Sequence, residues 1–205
     1  MQFDPIIDDL AEHGWSLRHS FLSDDLTLGL AAECRKREAQ GALAPAGIGR
    51  GDALTIREGI RGDQIQWLEP GQSPLCDCYL ELMDGLRFTH EPDAVSSVWK
   101  SFECHFRPVP AGRLSTRRIW IAFRDDDSRC VTAVVFTSTQ TGNPLMGESC
   151  VCISLTARSA TFRRLRVISW FSCLASFLTK YWSPRPTAFS LTGWFRRRPA
   201  DVLAL

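Results

Sequence analysis

Ser115–Phe136, STRRIWIAFRDDDSRCVTAVVF, changes character at Phe123. After it, Asp125, Asp126 and Asp127 read as an acidic turn, and Arg129–Phe136 reads as a strand rich in β-branched residues. Before it, Ile119, Trp120 and Ile121 stand beside Arg117 and Arg118 with neither strand nor helix periodicity. One short segment thus carries two incompatible patterns.

Upstream, the pattern is locally consistent. Ser23-Asp24-Asp25 supplies an N-cap and an acidic first turn. Leu26, Leu30 and Cys34 share one helical face, Lys36 and Arg37 fall near the end, and Gly41 closes the helix. Residues 41–59 form a Gly/Ala-rich stretch expected to be a mobile loop. A second helix is expected from Ser73-Pro74, with Leu75, Tyr79, Leu82 and Leu86 inward. Downstream, Phe189–Phe195 reads as another strand. Between Thr137 and Thr187 the composition shifts: Glu148 is the one acidic residue, Ser, Thr and Arg abound, and no period persists.

Composition excludes several classes. The 205 residues suit a single domain of 1–205, with a helical part over 1–87 and a β core over 88–205. With 24 Lys+Arg against 23 Asp+Glu, bulk charge gives no reason to expect nucleic acid. The basic tract after Thr137 is too apolar for a solvated nucleic-acid arm, as CVCISL and VISWFSCLASFL show. The run Val167–Leu178 falls short of the ~20 residues that span a bilayer. The opening MQFDPIIDDLAEHG is acidic and lacks an apolar core, so no signal peptide and a cytoplasmic protein are expected. The pairs Cys76/Cys78 and Cys150/Cys152 have Cys-x-Cys spacing, which does not match a structural zinc site, so buried, reduced thiols are expected.

Three islands carry a resemblance. IRGDQIQWLEPG (Ile60–Gly71), DDDSRCVTAVVF (Asp125–Phe136) and FSLTGWFRRR (Phe189–Arg198) resemble prolyl hydroxylases that use Fe(II) and 2-oxoglutarate. The likeness is to the bacterial relatives of the hypoxia-inducible-factor prolyl hydroxylases. It implies a mainly β fold with N-terminal helices, a double-stranded β-helix or jelly-roll. It also implies oxidation of a prolyl residue in a protein substrate with Fe(II), 2-oxoglutarate and O2, the residues 41–59 closing over the substrate.

The resemblance also exposes a gap. The family holds iron with a His-x-Asp pair and a distal His, and clamps 2-oxoglutarate with an arginine. No His-x-Asp occurs in this chain, and Ile119, Trp120 and Ile121 stand where the pair is expected. His-Leu-Asp written CAT CTG GAT and read one base later gives Ile-Trp-Ile, and Trp120 with Ile121 forces the Asp codon whatever codons were used. The same offset permits the family's strand and turn after Thr137, and a His-Glu-Val-Leu segment over Leu178–Trp182. It also permits the clamp arginine across Thr187 and Ala188. Residues 88–100, 108–122 and 137–188 are therefore expected to be out of frame. Ile119, Ile121 and Thr179 then occupy ligand positions, and the clamp is missing near Ala188. As written, the chain is expected to bind neither iron nor 2-oxoglutarate, to be inactive, and to fold poorly; a divergent protein with a genuine Ile-Trp-Ile strand is the alternative.

The remaining candidates lie in the islands. Asp63 and Trp67 resemble residues on the substrate side, and Arg129 resembles one able to pair with that aspartate. Ordinary surface pairing and core packing are the alternatives for these residues. Thr192 and Trp194 alternate with Leu191 and Gly193, so they share a face, which in the family lies near 2-oxoglutarate. Cys104-His105 reads as core, and Arg196-Arg197-Arg198 as a solvated end. A non-catalytic protein-binding relic of the oxygenase fold is the second functional expectation, and a nucleic-acid-binding protein the last.

Overall fold

A computed structural model describes residues 3–46, 63–87, 99–109, 129–139, 147–155 and 188–197. Helix α1 (Asp4–His13) starts with a proline in its first turn and ends at Gly14. Strand β1 (Trp15–His19) follows directly, and Asp9 Oδ2 accepts from Ser16 Oγ at 2.7 Å and from Arg18 Nη2 at 2.8 Å. Helix α2 (Asp24–Ala39) begins as its sequence predicts, with Ser23 Oγ accepting from the Leu26 amide at 3.3 Å. Gly41 takes a left-handed φ of 67° just past the helix, a conformation that a Cβ would strain.

The expected loop from Gly41 opens instead with a short strand, β2 (Ala44–Pro45), paired with β3 (Gln64–Trp67). The rest of that stretch, through residue 59, lies outside the described residues. Helix α3 (Pro74–Arg87) has the expected start but a different inward stripe. Cys76, Tyr79, Met83 and Leu86 are fully buried, whereas Leu75 and Leu82 pack only partly against the core.

The described strands form one seven-stranded antiparallel sheet. Beyond the first three these are β4 (Trp99–Val109), β5 (Arg129–Thr139), β6 (Gly147–Leu155) and β7 (Ala188–Arg197). Their order is β1-β6-β5-β7-β4-β3-β2. The chain is thus mainly β with helices, as the sequence predicts. Strict alternation divides the two faces. Cys104, Phe106, Phe189, Leu191 and Phe195 join Leu10, Leu30, Tyr79 and Met83 in one core beneath the helices. The intervening residues Glu103, His105, Arg107, Ser190, Thr192 and Trp194 belong to the opposite face.

Two positions set how the sheet packs. Strand β7 lies flat on β4 because Gly193 has no side chain: a Cβ there would sit 2.4 Å from Phe102 Cζ, 2.7 Å from Cys104 Cβ and 2.7 Å from the Glu103 carbonyl oxygen. Strand β6 lies where no period was legible, yet Ser149, Val151 and Ile153 are all buried at alternate positions. The inward serine is satisfied, because Ser149 Oγ accepts from the Leu22 amide at 2.9 Å and donates to the Leu22 carbonyl at 3.1 Å. The expectation that this stretch brings no usable alternation is therefore corrected for 147–155.

Candidate functional site

The site is built on the face of β3, β4 and β7 turned away from the helices. Register sets Trp67 opposite His105, and His105 opposite Thr192. Trp67 is 41% exposed and is the exposed large hydrophobic side chain among the described residues. Its ring meets His105 edge-on, centroids 5.2 Å apart, and lies 6.1 Å from the Trp194 ring. His105 and Trp194 are 5.6 Å apart at 73°, which closes an aromatic triangle with favourable edge contacts. Thr192 and Trp194 do share a face, and both are buried.

Asp63 immediately precedes β3 and pairs with Arg107, Nε to Oδ2 at 3.3 Å, both side chains nearly buried. Its carbonyl accepts from the Ala46 amide at 2.9 Å. The structure does not bring Arg129 to this aspartate. Register sets Arg129 opposite Arg196 in the row of Ser101, roughly 20 Å along the strands from the row of Arg107 and Ser190. Arg107 takes the part expected of Arg129. Its signal was present in Phe102–Arg107, FECHFR, where apolar and polar residues alternate and put Glu103, His105 and Arg107 on one side.

A buried polar cluster supports β3 from the helix side. Arg37 is held by Glu33 one helical turn earlier, and its guanidinium lies 5.3 Å from the Phe106 ring centroid. Arg37 Nη1 donates to Gln72 Oε1 at 2.9 Å and to Gln66 Oε1 at 3.2 Å. Ser73 Oγ donates to Glu33 Oε2 at 2.6 Å. Burial raises the Glu33 carboxyl, but the Ser73 and Arg37 hydrogen bonds and the Arg37 charge outweigh it and hold it below 4.5. Burial also pushes the Cys34 thiol from 9.0 up to about 12, and raises Cys76 and Cys104. These three are free and buried, as expected, while Cys78 is exposed.

Among the described residues no group of three His, Cys, Asp or Glu side chains could hold a metal ion, so the donors there do not fit a 2-His-1-carboxylate iron centre. Ile119, Ile121 and Thr179 lie outside the described residues, and no isoleucine carries a donor atom. Of the described histidines, His13 and His19 are exposed on the N-terminal elements and His105 is packed between indole rings. Ala188 begins β7, so the position expected to hold the clamp offers no charge.

No family model and no curated protein matches the sequence. A crystal structure of a prolyl-4-hydroxylase from Pseudomonas putida does: 33% identity over 97% of this chain and 100% of that one, with a TM-score of 0.61. This chain belongs to the prolyl 4-hydroxylase family. A second similar structure is a prolyl hydroxylase from Trichoplax adhaerens in complex with a hypoxia-inducible-factor oxygen degradation domain peptide fragment. It covers 94% of this chain and 87% of that one at a TM-score of 0.58, and at 15% identity the likeness is one of fold. The candidate side chains lie on the sheet face turned away from the helices, not in the helix layer. Trp67, Thr192 and Trp194 are the sequence candidates that gather there, with Asp63 at its edge.

Proposed function

We propose that the chain descends from a cytoplasmic oxygenase that hydroxylates a prolyl residue of a protein substrate with Fe(II), 2-oxoglutarate and O2, on a jelly-roll barrel. As written it holds neither iron nor 2-oxoglutarate and is inactive. The observation that carries this reading is the mismatch between a kept face and a missing donor set. Asp63, Trp67, Thr192 and Trp194 stand where the resemblance expects them in sequence, while no His-x-Asp occurs anywhere. A one-base offset forces the aspartate codon of that pair and permits its histidine, the distal histidine and the clamp arginine, which favours a shifted reading frame over gradual divergence.

Resequencing the coding DNA over the codons for residues 86–106, 106–123 and 136–189 tests the frame. Single-base corrections that restore all three groups would mean a working oxygenase behind a faulty record, and confirmation of the sequence as written would mean an iron-free relic. Calorimetric titration of this polypeptide with Fe(II) tests the inactivity: no specific heat of binding is expected, and micromolar affinity would overturn it. A second reading, a non-catalytic binder of proline-containing protein segments, draws on Trp67, whose exposed indole suits apolar rings. Binding of a single-proline peptide, lost in Trp67→Ala with the melting transition unchanged, would favour it.

A further inference from the structure

We propose that Gln72 is a positioning residue for Trp67, an adaptor between the buried Arg37 guanidinium and the Trp67 main chain. The proposal rests on the reading of the Trp67 face as the peptide-binding face. Strand β3 is short, and two register pairs hold it to β4, with one further bond from the Leu68 amide to the Cys104 carbonyl at 2.9 Å. Trp67 is its last residue, so the orientation of its indole depends on what else fixes the local backbone. That support is Gln72, whose Nε2 donates to the Trp67 carbonyl at 3.1 Å while its Oε1 accepts from Arg37 at 2.9 Å.

The chemistry at this position is restrictive. An arginine only donates and a carbonyl only accepts, so a side chain bridging them must present an acceptor to one and a donor to the other. A primary amide does so in a single orientation, and neither a carboxylate nor an amine can. The anchor is rigid: the Arg37 side chain is 10% exposed, paired with Glu33 and stacked over Phe106. Gln72 itself is exposed, so it contributes little to the core and its conspicuous partner is the residue it holds.

The variant that isolates the link is Gln72→Glu, which keeps an acceptor for Arg37 but sets a carboxylate oxygen against the Trp67 carbonyl. Gln72→Leu removes both contacts. Full-length protein is labelled with fluorotryptophan, the Trp67 resonance is assigned by Trp67→Phe, and fluorine NMR spectra, Tm and affinity for a capped peptide with one central proline are recorded. In both variants the Trp67 resonance is expected to shift and broaden, its neighbour Trp194 at 6.1 Å to follow more weakly, and the remaining tryptophans and Tm to hold. Peptide affinity is expected to fall about fivefold, the factor that one ordering hydrogen bond converts to. An unmoved Trp67 resonance in both variants, or a wild-type resonance already at the position of the free amino acid, overturns the proposal. A Trp67 resonance that moves in protein that binds no peptide, wild type included, supports the positioning role and refutes the peptide reading instead.

Discussion

A single hydrogen atom in place of a side chain decides how β4 and β7 meet. At Gly193 the obstruction to a Cβ includes a carbonyl oxygen at 2.7 Å, which cannot turn aside as a side chain can. Gly193→Ala is therefore expected to cost about 2–3 kcal/mol, at the upper end of ordinary overpacking. Urea unfolding measures it, and a loss under about 0.5 kcal/mol, the range of neutral surface changes, would refute the register. Glu33 is the complementary residue, one whose charge is stabilising. Its folded carboxyl titrates below 4.5, so its contribution is complete above that value and is lost as pH falls through the depressed folded pKa. Glu33→Gln is expected to lower stability at neutral pH by about 1.5–3 kcal/mol, the worth of a charged hydrogen bond. It should also flatten the acid limb of the stability curve. An acid limb identical in wild type and variant would show that Glu33 is not the titrating group.

At the scale of elements, helix α3 separates what a pattern reveals from what it hides. Its start was legible because capping chemistry is local. Its inward stripe was not, because Leu75 and Leu82 stand next to Cys76 and Met83 at the same helical spacing, and these soft hydrophobes, which fill irregular gaps, take the buried positions. Met83→Ala is expected to cost about 2–5 kcal/mol and Leu82→Ala clearly less, read from denaturant midpoints. The reverse order would return the stripe to the leucines. Strands β5 and β7 and the shared face of Thr192 and Trp194 were legible because a period of two needs no knowledge of neighbours. The partner of Asp63 was not legible, since an ion pair depends on register, and register is set by strands far apart in sequence. Strand β6 was hidden for a different reason. Its inward Ser149 looks polar in sequence, and only the Leu22 main chain, brought in by α2's lead-in, makes it a core residue.

The described sheet is held by pairings of long sequence separation, β1 with β6 and β4 with β7. Into the core beneath that sheet the chain folds ionisable groups from several elements, all in neutral form. Cys34 on α2, Cys76 and Tyr79 on α3, and Cys104 on β4 are all raised by burial, Cys34 from 9.0 to about 12. A folded pKa raised above the unfolded one favours the native state fully below the unfolded value. Above it the unfolded chain sheds protons that the native core retains, and stability falls. Each fully shifted thiol contributes a slope of about 1.4 kcal/mol per pH unit in that window. The alkaline limb is thus expected to begin near pH 9.0, where the unfolded thiols ionise, and to be steeper than one group can make it. Unfolding free energies measured from pH 8 to pH 11 in reducing buffer, about one unit apart, check this. Cys34→Ala should remove only one thiol's share of the slope, leaving the limb in place. A wild-type curve flat to pH 11, or a limb that vanishes with Cys34 alone, would mean that the thiols do not share the single core into which this sheet gathers them.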